Sequence, residues 1–256
     1  MSFRERVRGG EQLVGAMMSD VTNPNLAVML ATAGLDFFII DMEHGTCDWS
    51  DMAALVSTAR GWGITPMVRI PEIRRETVLK PLDAGATGLV VPQVEEVAQV
   101  EEVLAHARYP DTGRRGVALR RAHSAYAARN ATEYMQQANE ETLVLVQIET
   151  RRGLDNLEQL AKIDGLGGFL IGPFDLSVDM GLPAEVNHPD VRAAFRKVID
   201  VAEQHGIVSA IHVQEPDTAI ELFAEGMQVC SVSSDINMIV DQAAENTRKI
   251  RESLQQ

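Results

Sequence analysis

The amino-acid sequence predicts an α/β fold, a (β/α)8 TIM barrel, and three observations support this prediction. Eight short apolar runs recur along the 256 residues, and most are continuously apolar, as expected of parallel strands covered on both faces. Helical patterns lie between them, and this alternation implies a parallel sheet with right-handed crossovers. The length suits one such barrel. We therefore expect residues 1–256 to form a single barrel domain.

The predicted strands are short segments dominated by apolar and β-branched residues. A doubly wound open sheet is the alternative arrangement of such elements, but it often carries a Gly-rich phosphate motif, and no G-x-G-x-x-G follows any of these runs. In chain order the strands are Leu13–Met18, Phe37–Met42, Pro66–Ile70, Gly88–Gln93, Leu143–Glu149, Gly168–Gly172, Val208–Val213 and Gln228–Val232.

The predicted helices have apolar residues at helical spacing. One begins after Asp48, a good N-cap residue followed by an acidic first turn. Another ends before Pro110, because proline cannot continue a helix. That helix is Glu95–Arg108, and the remaining segments are Arg151–Ile163, Pro189–His205, Glu215–Glu225 and Ile236–Leu254.

Composition and charge exclude several classes of function. Hydrophobic residues make up 45% of the chain and the net charge is −14, which argues against a nucleic-acid-binding surface. Two cysteines do not make a disulfide framework. The first residues lack the apolar segment of a secretory signal, and no apolar run approaches the ~20 residues that span a bilayer. We expect a cytoplasmic protein that binds neither nucleic acid nor membrane.

One interval is too long for a simple strand–helix unit. About fifty residues separate Gln93 from Leu143, and long insertions after barrel strands are commonly functional loops or subunit contacts. The interval is rich in arginine although the protein is acidic. Its arginines are Arg108, Arg114, Arg115, Arg120, Arg121 and Arg129.

Two carboxylates follow neighbouring predicted strands. Glu149 ends the fifth strand and Asp175 follows the sixth, where the carboxyl ends of barrel strands build the active site. Two such acids are suitable oxygen ligands for a divalent metal. Gln147 lies two residues before Glu149 and therefore on the same face. Gly172 allows a close approach of ligand and backbone; Asp175 has the alternative role of a plain helix cap.

The second and third strands also end in polar residues. The segment Asp41-Met42-Glu43-His44-Gly45 follows an apolar run, and His44 is a candidate base near neutral pH. A solvated histidine beside a capping Asp41 is the alternative. Arg69 lies within an apolar run, where a buried guanidinium needs a carboxylate or an anionic ligand. It is a candidate donor to a developing oxyanion, or else a structural partner of Glu43 or Glu149.

Five motifs in order resemble those of the HpcH/HpaI aldolases, the metal-dependent class II pyruvate aldolases related to 2-dehydro-3-deoxyglucarate and 4-hydroxy-2-oxoheptanedioate aldolases. The similarity covers nearly the whole chain. The motifs are DFFIIDMEHG, MVRIPE, LDAGATGLVVPQV, QIET and FLIGPFDLSVDMG.

The resemblance implies a barrel of the phosphoenolpyruvate/pyruvate type, assembled as a hexamer, a trimer of dimers, with the C-terminal helix exchanged between subunits. It implies Mg²⁺, Mn²⁺ or Co²⁺ held by Glu149 and Asp175. The reaction would be reversible cleavage of a 4-hydroxy-2-oxoacid to pyruvate and an aldehyde, through a metal-stabilised pyruvate enolate.

The resemblance also implies roles for individual residues. Catalytic roles fall to His44, Arg69 and Asp83, and substrate-binding roles to Gln147, Gly172, Pro173, Phe174, Asp175 and Arg121. Asp83 precedes the fourth strand, at the end of the barrel away from the expected site. It would therefore reach the site from a neighbouring subunit, or Asp41 or Glu43 would partner His44 instead. From its own sequence context, Asp83 is equally a turn-capping residue.

Other reactions and roles remain open alternatives at this point. An oxaloacetate decarboxylase or a macrophomate-synthase-like lyase would use the same residues. A non-catalytic oligomeric barrel is a third hypothesis, although such a scaffold has no reason to keep a metal pair with an arginine opposite. No lysine falls at a strand end, so nothing indicates a Schiff-base mechanism.

Overall fold

Eight parallel strands close into a barrel in the order in which they occur along the chain. The computed structural model describes residues 1–127 and 130–255; Arg129 of the arginine-rich interval lies outside this range. Every strand pairs with its sequence neighbours, and the first also pairs with the eighth. The (β/α)8 prediction is confirmed, and the open sheet is excluded by the closing pair.

The strands agree with the predicted runs to within two residues at either end. The fourth strand stops before Pro92, which lacks the N–H that a ladder needs. The eighth extends beyond the predicted Val232 into a polar segment. The strands are β1 Leu13–Met18, β2 Phe37–Asp41, β3 Thr65–Arg69, β4 Gly88–Val91, β5 Leu143–Ile148, β6 Gly168–Ile171, β7 Val208–Val213 and β8 Val229–Ser234.

Helices follow the strands on the outside of the barrel, and the structure contains several that the sequence did not predict. They are α1 Phe3–Arg8, α2 Asn25–Thr32, α3 Trp49–Trp62, α4 Arg75–Ala84, α5 Val97–Ala107, α6 Ala131–Glu141, α7 Arg151–Asp155, α8 Leu157–Ala161, α9 Pro173–Asp179, α10 Pro189–His205, α11 Pro216–Ala224 and α12 Asp235–Ser253, with a short 3₁₀ helix at Ala122–Ser124. None of the described helices is long and apolar enough to cross a membrane.

The prediction of one helix over Arg151–Ile163 was wrong. Two short helices meet at Asn156, which ends α7 and begins α8. The side-chain amide of Asn156 donates a 2.7 Å hydrogen bond to the carbonyl of Glu95. Asparagine competes with the helix by hydrogen bonding elsewhere, and here that bond ties the break to the preceding loop.

Two apolar layers make up the core. The outer layer lies between strands and helices, and the inner layer fills the lower barrel with side chains such as Phe37, Ile39 and Met67. Helix α1 closes the amino-terminal end of the barrel, because Phe3 and Val7 pack into the inner layer; the rings of Phe3 and Phe37 meet edge to face at 5.5 Å. The carboxyl end is left to polar side chains.

Candidate active site

Polar residues continue the inward-facing rows of the barrel at its carboxyl end. Side chains two residues apart on a strand share a face, so Asp41 follows the inward-facing Ile39, and Arg69 follows Met67. Gln147 likewise follows Leu145. The same inward-facing rows are therefore apolar inside the barrel and polar at its carboxyl end, which we call the mouth.

Asp41 and Arg69 form a buried two-pronged ion pair across neighbouring strands. They are register partners of β2 and β3, and the guanidinium donates from Nε (2.9 Å) and Nη2 (2.6 Å) to the two carboxylate oxygens. Burial alone would raise the pKa of Asp41, but the hydrogen bonds and charge of Arg69 outweigh it and lower that pKa. The pair keeps Arg69 in its charged form. Its Nη1 group makes no hydrogen bond to Asp41.

Glu43 and His44 lie beside this pair. The Asp41 carboxylate accepts the backbone amides of both residues, at 3.0 and 3.2 Å, which fixes the turn. Glu43 Oε2 lies 3.3 Å from Arg69 Nε and 4.0 Å from His44 Nε2. Burial raises the pKa of Glu43. The His44 side chain is 73% exposed, so within one subunit Glu43 is the carboxylate that accompanies it.

Glu149 is buried just beyond the end of β5. One carboxylate oxygen accepts the backbone amide of Gln93 at 2.6 Å, and the other accepts the side-chain amide of Gln147. Gln93 adopts a left-handed φ of 52° to make its bond, a costly conformation for a residue other than glycine. Burial, together with the charges of Asp175 and Glu43, raises the pKa of Glu149 to about 7.

Gly172 brings the sixth strand against Glu149. A Cβ atom at this position would lie 2.7 Å from Glu149 Oε2 and 2.8 Å from Gln147 Nε2, so only glycine fits. Helix α9 starts directly after it, at Pro173. Gly172 is therefore the N-cap, and Asp175 is an exposed residue of the first turn beside the exposed Phe174. The capping alternative for Asp175 is excluded.

The donor set fits a hard divalent cation. The charge of Asp175 acts on Glu149, and a cation between two carboxylates would relieve the repulsion that raises the Glu149 pKa. Gln147 Oε1 is buried and has no hydrogen-bond partner within residues 1–127 and 130–255. The same described residues hold no third metal-binding side chain in a cluster with these two, so the remaining positions would belong to water and substrate oxygens.

Asp83 lies elsewhere in the subunit. It occupies the last turn of α4, where its carboxylate accepts a 2.8 Å hydrogen bond from Arg115 Nη2 and lies 3.9 Å from His123 Nε2. Arg121 starts the 3₁₀ helix near this group, and its guanidinium is exposed and donates to the carbonyl of Arg120. The structure therefore gathers His44, Arg69, Gln147, Glu149 and the segment 172–175, but leaves Asp83 and Arg121 apart from them.

Sequence reasoning missed His212 and Gln93. His212 continues the inward-facing row of Ala210 on β7, and its ring contacts Ser231 Oγ at 3.0 Å and Gln214 Nε2 at 3.2 Å. Burial and the charge of Arg69 lower the pKa of His212 to about 4, so it stays neutral. The two-residue period of β7 was the signal that could have found it.

A family model, curated relatives and solved structures all match this chain. The family model described as HpcH/HpaI aldolase/citrate lyase matches residues 16–241. A 2-keto-3-deoxy-L-rhamnonate aldolase of Escherichia coli O17:K52:H18 is 32% identical over 93% of this chain and 89% of its own length. The corresponding enzyme of Klebsiella pneumoniae subsp. pneumoniae is 33% identical over 94% of this chain and 89% of its own length.

The fold matches solved structures equally well. The crystal structure of an HpcH/HpaI aldolase from Desulfitobacterium hafniense DCB-2 superposes with a TM-score of 0.95 at 30% identity, covering 98% of this chain and 97% of that one. Fold and sequence similarity agree over nearly the whole chain. This protein is an enzyme that belongs to the HpcH/HpaI aldolase/citrate lyase family of carbon–carbon lyases.

Proposed function

We propose that the chain is a class II pyruvate aldolase that reversibly cleaves a 2-keto-3-deoxy sugar acid, a 4-hydroxy-2-oxoacid, to pyruvate and an aldehyde. The observation that carries this proposal is the pairing of Glu149 and Asp175 around Gly172, with the charged Arg69 at the same mouth. The similarity to 2-keto-3-deoxy-L-rhamnonate aldolases supports the sugar-acid class of substrate.

Glu149 and Asp175 would hold the divalent metal, Mg²⁺, Mn²⁺ or Co²⁺. When bound, the metal supplies a Lewis acid that chelates the 2-oxo acid and polarises its keto group. Gln93 and Gln147 orient the Glu149 carboxylate, and the unpartnered Gln147 oxygen is available to a water or substrate hydroxyl. Gly172 leaves the space that the side chains of Glu149 and Gln147 need.

Arg69 would stabilise the negative charge that develops on the keto oxygen. Asp41 engages Nε and Nη2, so the N–H groups of Nη1 remain for the substrate, and the guanidinium is held in place before the reaction begins. His44 would move the proton of the pyruvate methyl group, with Glu43 beside it as the carboxylate of its own subunit. Pro173 and Phe174 would form the wall next to the bound acid.

Asp83 and Arg121 require a second subunit in this proposal. We propose that Asp83 reaches the His44 of a neighbouring subunit and that Arg121 binds the aldehyde half of the substrate. The full chain 1–256 would act as one barrel in a cytoplasmic hexamer, with α12 exchanged between partners. Support comes from α12 itself, on which only Asp235 is buried while Ile236, Met238, Ile239 and Val240 are exposed.

A single assay tests the reaction. Metal-stripped protein is supplied with 4-hydroxy-2-oxoacids, including 2-keto-3-deoxy sugar acids, and pyruvate release is measured with and without Mg²⁺ or Mn²⁺. We expect activity only with metal, and abolition by Glu149→Ala or Asp175→Ala in folded protein. Metal-independent cleavage, or a lysine adduct trapped by borohydride, would contradict the class II assignment.

Light scattering tests the assembly separately. A hexamer mass is expected for the wild type, and a smaller mass for Ile239→Asp, because that substitution charges the exposed apolar face of α12. The matched exposed change Gln242→Asp should leave the mass unchanged. A wild-type monomer with full activity would refute the shared-site part of the proposal.

A further inference from the structure

A second cavity lies at the opposite end of the barrel from the active site. Its volume is about 400 Å³, within the usual range of small-molecule sites. It lies among α1, the ends of α5 and α6 and the turn that precedes β6, and its lining includes Arg4, Arg8, Arg108 and Asn139. A neighbouring cavity of about 330 Å³ shares Arg4 and Arg8.

Arg4, Arg8 and Arg108 have no ion-pair partner among the residues that the structure describes. Arg6, on the same helix, is paired: it contacts both Glu11 and Asp36 at 2.8 Å. Arg4 and Arg8 stand one turn apart, a like-charge spacing that destabilises a helix. Glu5, the acid within α1, accepts the backbone amide of Ser2 at 2.6 Å and forms no ion pair with either arginine.

Arg108 is the buried member of the group, with 5% of its surface exposed. Its guanidinium donates to the carbonyls of Thr142 (2.9 Å) and Gly165 (3.0 Å), which precede β5 and β6. These two bonds leave three of its five N–H groups for another acceptor. Burial, together with the charges of Arg4 and Arg115, lowers the Arg108 pKa to about 10, so it is still charged near neutral pH.

Two acids also line the cavity, and they define what it can accept. Glu140 and Asp164 are exposed and form no ion pair with these arginines, although Asp164 partly offsets the charge of Arg108. Three cations against two carboxylates leave a small positive excess. An anion therefore suits the cavity, and the buried guanidinium fork of Arg108 matches the oxygens of a phosphate group.

We propose that this cavity is a binding site for a phosphate group, either free phosphate or the phosphate of a small monoester, held by Arg4, Arg8 and Arg108. The site is independent of the aldolase reaction. Bound phosphate would join α1 to the turns before β5 and β6, and so would stabilise the closed end of the barrel by mass action.

Calorimetric titration of the Mg²⁺- and pyruvate-loaded enzyme tests the site, since pyruvate occupies the only other anion site proposed here. Inorganic phosphate, glycerol 3-phosphate and malonate are the probes, at constant ionic strength. We expect saturable 1:1 binding of a phosphate probe and weaker binding of malonate. If glycerol 3-phosphate binds more tightly than phosphate, the natural ligand is a monoester; the reverse order indicates free phosphate.

Arg4→Gln and Arg8→Gln should each weaken binding about tenfold, equivalent to ~1.4 kcal/mol. Arg8 is exposed, so Arg8→Gln does not put folding at risk. Arg4 is half-buried and donates a 2.8 Å hydrogen bond to the carbonyl of Glu140, so thermal unfolding is measured alongside binding for Arg4→Gln. The charge-matched Arg251→Gln, an exposed residue of α12, should bind as the wild type does. Absence of saturable binding, an equal loss in all three variants, or tighter binding of malonate would overturn the proposal. A change in oligomer mass on Arg8→Gln would also overturn it, by assigning these arginines to a contact between subunits.

Discussion

At the scale of single residues, Gly172 has no room for a side chain. Its φ of −96° is open to alanine, so the only obstacle is the 2.7 Å approach of a Cβ to Glu149 Oε2. Gly172→Ala should displace that carboxylate and weaken Mn²⁺ binding about 10- to 100-fold, as loss of ligand orientation does elsewhere. Calorimetric titration of the metal-stripped protein measures the effect.

Gly61→Ala is the matched control. Gly61 lies within α3, and a Cβ added there would meet no atom within 4 Å. Alanine should therefore leave metal affinity unchanged and stabilise the helix by up to ~1 kcal/mol. Equal metal affinity in Gly172→Ala and the wild type would show that Glu149 can move aside without cost to the metal site.

Asp41 neutralises a buried arginine, which makes Asp41→Asn a second test at this scale. The amide would turn an N–H towards Arg69 and leave its charge with only the more distant Glu43. Breaking a buried pair typically costs about 3 kcal/mol or more, and kcat should fall because Arg69 is no longer held. Urea unfolding and steady-state kinetics measure the two effects. Asp200→Asn, exposed on α10, should change neither, and an unaltered stability of Asp41→Asn would contradict the assigned pair.

At the scale of elements, Asp235 joins the first residue of α12 to the loop after β1. Its two buried carboxylate oxygens accept the amides of Ser19 (3.0 Å), Asp20 (3.0 Å) and Val21 (2.7 Å). The contacts close the barrel mouth where the chain's last helix leaves its last strand.

Asp235→Asn should therefore destabilise the protein by roughly 2 kcal/mol, because in either orientation the new NH₂ group faces at least one amide donor. Chemical denaturation gives the change in unfolding free energy. Asp241→Asn, which is exposed on the same helix, should lie within ~0.5 kcal/mol of the wild type. If the two variants unfold alike, the three amides find other acceptors and the link is not structural.

The elements also show what a sequence pattern can and cannot predict. Strands were located because eight buried strands read as unbroken apolar runs, and α10 was predicted to the residue from its apolar face. Helix α6 has no buried residue, so it gave no periodic signal. The break at Asn156 depends on a contact with Glu95, 61 residues away, which no local pattern encodes.

The candidate site likewise contains residues that the local sequence predicts and residues that it does not. Glu149, Asp175, Arg69 and His44 were predicted because they follow strand ends, a property of local sequence. The Gln93 amide that orients Glu149 lies 56 residues away from it, and Arg115, which holds Asp83, lies 32 residues beyond that aspartate. Contacts over such sequence distances form only in the folded barrel, so no local sequence pattern predicts them.

At the scale of the whole molecule, stability and metal binding are linked through Glu149. Its pKa rises from 4.5 to about 7 on folding, so the unfolded chain releases this proton between pH 4.5 and 7 while the folded protein keeps it. Stability of the metal-free enzyme should therefore fall as pH rises through this window, by on the order of 3 kcal/mol from this group.

Metal reverses that loss, because a bound cation requires the ionised carboxylate. The rise in Tm on adding Mg²⁺ should be larger at pH 8 than at pH 5.5, and Glu149→Gln should remove most of the difference. Thermal unfolding with and without metal at both pH values measures this. An equal rise in Tm at the two values would contradict the raised pKa or the role of Glu149 as a ligand.

The inward-facing rows of the barrel separate an apolar floor from a polar mouth. Residues such as Phe37, Ile39 and Met67 determine whether the chain folds, whereas positions two residues further along the same strands determine which substrate the enzyme binds. For laboratory evolution, this means that a mutant library confined to the mouth and its loops can search for new acceptor aldehydes at little risk to folding. Randomising the floor would mostly yield insoluble protein.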